Sequence, residues 1–321
     1  MKPTDGIPSP EARALHGHAP TAGSDEQSLP AVRTPRFKLD SDVVLAANTR
    51  LQLDECLARI RHHRTIYSDW GFAAVDPLGR SSVINFHGPP GTGKTMAAEA
   101  LAGTLGIGFH HLGIAELESR FLGETARNIQ AAFQIAHDTA SLLFFDEADT
   151  LLGARLSNVT QGVDNEVNAM RSTLLIELER FEGIVVFASN FARNYDEAFR
   201  SRISYHIHFD FPDLVARRAL WDRMIVPGIP LAESRAGLIE NCAVASRTLS
   251  GREIRTCLRL ALPKALLEAG GSPVHAKLRW SHLQQAIADV QRARQQVGRS
   301  SMPSAGESGS QAQAALDLLG V

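Results

Sequence analysis

Eight consecutive residues, Gly88-Pro89-Pro90-Gly91-Thr92-Gly93-Lys94-Thr95, fit the pattern G-x-x-x-x-G-K-[ST]. Their types suit one task, the holding of a polyphosphate. Glycines let a loop turn until successive backbone N–H groups converge on one anion. A helix starting behind the loop adds the positive end of its dipole. The Lys94 ammonium reaches the β- and γ-phosphates as a point charge, and the Thr95 hydroxyl is a ligand for Mg²⁺. Gly88 through Met96, including Pro89, Pro90, Gly91, Thr92 and Gly93, are therefore the expected phosphate-binding residues. A second group, Asp146-Glu147, follows the apolar run Leu142-Leu143-Phe144-Phe145. A buried strand that ends in two acids delivers them to the edge where open α/β sheets bind ligands. Asp146 is expected on Mg²⁺ and Glu147 as the general base that activates water against the γ-phosphate.

Elements must carry these groups to one place. Residues 82–86, 108–112, 141–145, 184–188 and 205–209 are short β-rich or continuously apolar runs, of the kind that form strands buried on both faces. Between them, residues 43–66, 96–105, 124–137 and 165–181 show helical spacing. Strand alternating with helix predicts right-handed crossovers and a parallel sheet covered on both sides. After Pro212 the β signal ends, and residues 214–225, 235–245, 251–269 and 281–297 read as helices. The expected fold class is α/β, a three-layer αβα P-loop domain followed by a small all-helical lid. Residues 1–36 hold six of the fifteen prolines and too little apolar surface to offset ordering entropy, so they read as a disordered N-terminal arm. The expected boundaries are 37–212 for the αβα domain, 213–297 for the lid and 298–321 for a flexible tail.

Composition narrows the function classes. The 321 residues carry 33 Lys plus Arg against 35 Asp plus Glu, a net charge of −2 that gives no general pull toward nucleic acid or acidic membranes. Hydrophobic residues at 44% and charged residues at 21% are ordinary for globular proteins and exclude disorder along the whole chain. Three cysteines, Cys56, Cys242 and Cys257, form no disulfide framework. No apolar run approaches the ~20 residues of a membrane span. No apolar stretch follows Lys2, so no secretory signal is read and a cytoplasmic setting is expected. The histidines at 62–63, 110–111, 206 and 208 lack zinc-site spacing, and His206 and His208, on one face of a strand, are read as core or interface packing.

Together the motifs resemble the AAA family of the AAA+ ATPases over residues 37–297. Phe187-Ala188-Ser189-Asn190 is similar to that family's sensor-1 strand, which implies that Asn190 helps Glu147 position the lytic water. The run 196–203 resembles the arginine-finger segment, whose basic groups reach the γ-phosphate of the next subunit. Arg200 and Arg202 are separated there by one residue, where many members separate the pair by two; Arg202 is favoured as the finger, with Arg200 as helper. Leu249-Ser250-Gly251-Arg252-Glu253-Ile254 resembles the sensor-2 turn, with Arg252 either touching the γ-phosphate in cis or facing solvent. Ser119-Arg120-Phe121-Leu122-Gly123-Glu124 is similar to the first pore loop, in which Phe121 and Leu122 would grip an extended polypeptide; the alternative packs Phe121 into the core. Residues 153–163 take the place of the second pore loop but lack the paired arginines usual after it. Gly71, between Trp70 and Phe72, lies where the family's backbone often meets adenine.

The resemblance implies ATP and Mg²⁺ as ligands, an oligomeric ring, most naturally a hexamer, and mechanical work on a protein client. Two other classes remain: a nucleic-acid motor or loader on the same fold, and a nucleotide-gated scaffold with little turnover.

Overall fold

Strands that are apolar on both faces find no stable place except inside a layered sandwich, and a computed structural model of the chain sets such strands in the middle of a five-stranded sheet. The structure describes residues 29–76, 79, 81–117, 124–153, 161–190 and 195–300. The strands are β1 (Ser82–His87), β2 (Phe109–Gly113), β3 (Leu142–Asp146), β4 (Ile184–Ser189) and β5 (Tyr205–His208), in the order β2-β3-β4-β1-β5. Every neighbouring pair is parallel. Along the chain, α1 (Leu39–Asp42) and α2 (Ala47–Arg61) precede β1, and α3 (Lys94–Leu105) joins β1 to β2. The short α4 (Ile114–Leu117) and the longer α5 (Glu124–Asp138) lead to β3. Next, α6 (Asp149–Leu152) and α7 (Gln161–Arg180) lead to β4, and α8 (Glu197–Arg200) leads to β5. The lid holds α9 (Leu214–Met224), α10 (Arg235–Ala245), α11 (Gly251–Glu268) and α12 (Trp280–Ser300).

The period of two along each strand splits the core into two layers. Val83, Leu143, Phe145, Val185 and Phe187 face α5 and α7, where Ile129, Phe133, Leu174 and Leu178 meet them. Ile84, Phe86, Phe144, Val186 and Ile207 face α2 and α3, against Leu53, Ala97 and Leu101. Phe145 stacks on Phe187 at 5.2 Å and Phe109 on Phe144 at 5.5 Å, which fixes the register of three adjacent strands. The lid has its own core around the fully buried Trp221. The indole N–H donates to Ser246 Oγ at 3.0 Å, so the buried polar atom is satisfied. At the start of α11, Ser250 Oγ accepts from Glu253 N–H, and the Glu253 carboxylate accepts from Ser250 N–H at 2.7 Å. Such reciprocal caps are worth about 1 kcal/mol.

Two expectations change. The single helix predicted over 43–66 does not begin at 43: Val43 and Ala46 adopt extended backbone, and α2 starts only at Ala47 and ends at Arg61. The N-terminal arm does not continue to residue 36 as free chain. Arg33 exchanges both backbone hydrogen bonds with Phe109 at 2.9 Å, and the Arg36 guanidinium grips Glu99 at 2.9 and 3.0 Å. The reason is topological: β2 is an edge strand, and Arg33 satisfies the Phe109 backbone groups that would otherwise be unmatched. Residues 1–28 of the arm and 301–321 of the tail lie outside the described residues.

Candidate functional site

β1 carries the chain to Gly88 at the C-terminal edge of the sheet, and the loop then turns through Gly88, Gly91 and Gly93 at φ of +142°, +80° and +103°. Only glycine adopts these angles without strain. At Gly88 there is also no space: a Cβ would stand 2.1 Å from the Phe209 carbonyl oxygen. Lys94 opens α3 and is buried. Its Nζ donates to the carbonyls of Gly88 at 2.7 Å and Pro89 at 3.0 Å, and to Asn190 Oδ1 at 3.0 Å. Burial lowers the Lys94 pKa against the pull of Asp146 and Asp149, and Arg252 adds to the lowering. The ammonium is thus aimed, desolvated and ready for an anion.

β3 ends at Asp146. Thr95 Oγ donates to Asp146 Oδ2 at 3.0 Å, and Glu147 N–H donates to Oδ1 at 3.0 Å. His111 Nε2, on β2, stands 3.5 Å from the same Oδ2. Burial of Asp146 opposes ionisation, but the contacts with His111, Thr95 and the Glu147 N–H outweigh it and hold the carboxyl below its ordinary pKa. Oxygen donors of this kind, adjacent and ionised, suit Mg²⁺. Glu147 follows at φ +56°, a left-handed conformation that non-glycine residues adopt at a cost. It projects an exposed carboxylate at the cleft wall.

β4 ends next to Asn190, whose backbone N–H lies 3.1 Å from each Asp149 carboxylate oxygen. Its amide oxygen is held by Lys94 rather than by Glu147. Asp149, three places after Asp146, does not line the cleft but holds the Asn190 backbone beside it, a contact that the sequence reading passed over.

The loop, the acids and the lid enclose a cavity of about 560 Å³. Its apolar wall is the extended stretch Val43, Val44, Leu45 and Ala46 with Leu220 and Met224 of α9. Gly71, expected beside adenine, does not line this cavity, and Trp70 is 76% exposed; residues 43–46 line it instead. The breaking of the expected 43–66 helix is what brings that stretch to the cleft. From the lid, Arg252 and Arg255 line the cavity, one helical turn apart, and Arg252 N–H donates to the Gly91 carbonyl at 3.2 Å. Arg223 of α9 bonds the Ser41 and Asp42 carbonyls. Arg255 and Arg223 could have been found from the sequence only by their helical spacing from neighbouring motifs.

Arg200 and Arg202 precede β5 and therefore sit at the opposite, N-terminal edge of the sheet. Strands of four to six residues at about 3.3 Å per residue hold the two edges about 13–20 Å apart. Neither arginine lines the cleft. Arg202 donates to the Ala198 carbonyl at 2.8 Å and pairs with Glu179, whereas Arg200 is exposed. Phe121 and Leu122 lie outside the described residues, as do residues 154–160 of the second loop; Gly153 before them forms a bridge with Tyr195.

Comparisons with known proteins bear on the family and the fold. The sequence model of the ATPase family associated with various cellular activities (AAA) matches residues 84–211. A 26S proteasome regulatory subunit homolog of Methanothermobacter thermautotrophicus is 30% identical over 209 residues, covering 64% of this chain and 54% of that protein. The 26S proteasome regulatory subunit 7 homolog of Schizosaccharomyces pombe is 37% identical over 141 residues, 42% of this chain and 32% of its own. The chain thus spans about half or less of the length of these relatives. Among solved structures, the FIGL-1 AAA domain superposes with a TM-score of 0.62 at 20% identity, over 89% of this chain and 90% of that one. That likeness shows the fold. Among the described residues, no helix is long and apolar enough to cross a membrane.

Proposed function

The chain belongs to the AAA family of ATPases, and from that premise we propose that it binds ATP with Mg²⁺, hydrolyses it, and works as a ring on a protein client. The convergence of Lys94, Thr95, Asp146 and Glu147 on one cavity carries the reading. Residues 43–46 with Leu220 and Met224 offer the adenine an apolar slot. Backbone N–H groups of the 88–95 loop and the Lys94 ammonium hold the phosphates, after Lys94 exchanges its carbonyl partners for phosphate oxygens. Mg²⁺ between Thr95 and Asp146 would supply charge neutralisation at the β- and γ-phosphates. Glu147, fixed by its left-handed backbone, takes a proton from the attacking water. Asn190 couples the γ-phosphate end of the cleft to Asp149, and Arg252 with Arg255 approaches from the lid.

The edge-to-edge separation argues that no arginine before β5 completes its own cleft, which supports a finger supplied by a neighbour and hence a ring, a hexamer in this proposal. The fold favours Arg200 over Arg202 for that part, since Arg202 is engaged within its own subunit. Relatives named as proteasome regulatory subunits support a protein client, with Phe121 and Leu122 as the gripping residues.

Phosphate release by the wild type and by Glu147→Gln tests the reading. A general base contributes about 10²–10⁴-fold, so Glu147→Gln is expected to lose turnover on that scale while it still binds ATP. Unchanged turnover, or a wild type with no turnover to lose, defeats the hydrolytic mechanism.

A further inference from the structure

His111 belongs to no motif, and it does not line the cleft. It stands on β2, separated by β3 and β4 from the strand that leads into the phosphate loop, and is paired in register with Phe144 of β3. Alternation along the strand puts its ring on the same sheet face as Phe144 and Asp146, with Phe144 at 5.1 Å and Phe109 at 5.8 Å between ring centroids. Those rings fix the imidazole plane. The plane in turn aims Nε2 at Asp146 Oδ2, 3.5 Å away. Asp146 Oδ1 is already occupied by Glu147 N–H, so the carboxylate is held from the backbone on one oxygen and from Thr95 and His111 on the other.

The Thr95 contact is the one that a bound metal would draw off, because its hydroxyl and Asp146 Oδ2 are the adjacent oxygen donors. After that exchange His111 is the side chain left to orient Oδ2. We infer that His111 is a positioning residue for the Mg²⁺ carboxylate, setting the affinity of the site for the metal through Asp146 without touching metal or nucleotide. Outer partners of metal-ligating groups commonly tune metal affinity about 10–100-fold. The inference rests on the proposed nucleotide site.

Two variants separate positioning from packing. His111→Phe keeps an aromatic ring between Phe109 and Phe144 but removes Nε2, whereas His111→Gln places an amide at similar reach. The full chain is titrated with Mg²⁺ in the presence of a fluorescent ATP analogue, and binding of the analogue in EDTA is measured separately. His111→Phe should raise the Mg²⁺ concentration at half-saturation about 10-fold, leave binding in EDTA unchanged, and keep the thermal midpoint. His111→Gln should recover most of that loss. Equal Mg²⁺ requirements in wild type and His111→Phe overturn the inference, and so does a His111→Phe loss that His111→Gln shares in full. If wild type itself fails to bind the analogue, it is the nucleotide reading that falls.

Discussion

The two walls of the cleft are built by different rules. On the αβα side, Lys94 is buried with three acceptors, Asp146 has partners on both oxygens, and Gly88 packs with no room for a methyl group. On the lid side, Arg252 and Arg255 are exposed, and the main tie to the loop is one backbone bond, from Arg252 N–H to the Gly91 carbonyl. One wall is organised before any ligand arrives; the other offers charges that a ligand must recruit. A preorganised wall places charge without further reorganisation, and a recruited wall makes lid position depend on what the cleft holds.

Substitutions should expose that asymmetry. Lys94→Ala removes a desolvated cation aimed at phosphate, and with charged hydrogen bonds worth about 1.5–3 kcal/mol, nucleotide binding should weaken by about 100-fold in a fluorescence titration. Arg252→Ala and Arg255→Ala remove exposed cations, for which about 1 kcal/mol, or roughly 5-fold in affinity, is the expected upper range for each. Losses as large as that of Lys94→Ala would abolish the distinction between the walls. Ser250→Ala deletes the cap of α11 and should cost the lid about 1 kcal/mol, read as faster hydrogen exchange at the start of that helix with the sheet unaffected. Equal acceleration in β1 and β4 would mean that lid and sheet open as one unit.

A separate effect concerns acid. Burial lowers the His87 pKa to about 4, helped by His208, His206 and Lys94. The folded state thus keeps this ring neutral while the unfolded chain protonates it near its ordinary value of 6.5. Between those values the unfolded state binds more protons, so stability should fall as pH drops from 6.5 toward 4. His87→Asn should flatten that part of the thermal-midpoint profile, and a profile that keeps its slope would assign the acid sensitivity to other groups.

Much of the sheet was legible because short, continuously apolar runs such as residues 142–145 have no other stable location. The phosphate loop was legible because glycine, lysine and threonine at fixed spacing leave few alternatives. The apolar wall of the cleft was not. The helical periodicity of residues 43–66 concealed the extended residues 43–46, which end up walling the cleft against Leu220 and Met224, more than 170 positions later in the chain. The aromatic pair around Gly71 drew attention that its exposure does not justify.

The sequence by itself set the expected chemistry of the loop, since the needs of a polyphosphate are local and can be met by adjacent backbone groups and one cation. It settled the layered class too, through the alternation of strand and helix. Only the tertiary structure decided which residues meet across the chain. Lys94 meets Asn190 and Asp146 meets His111, while Arg200 and Arg202 stand at the far edge of the sheet. Strand order and register determine such meetings, and both arise from packing among distant segments, which no local spacing records.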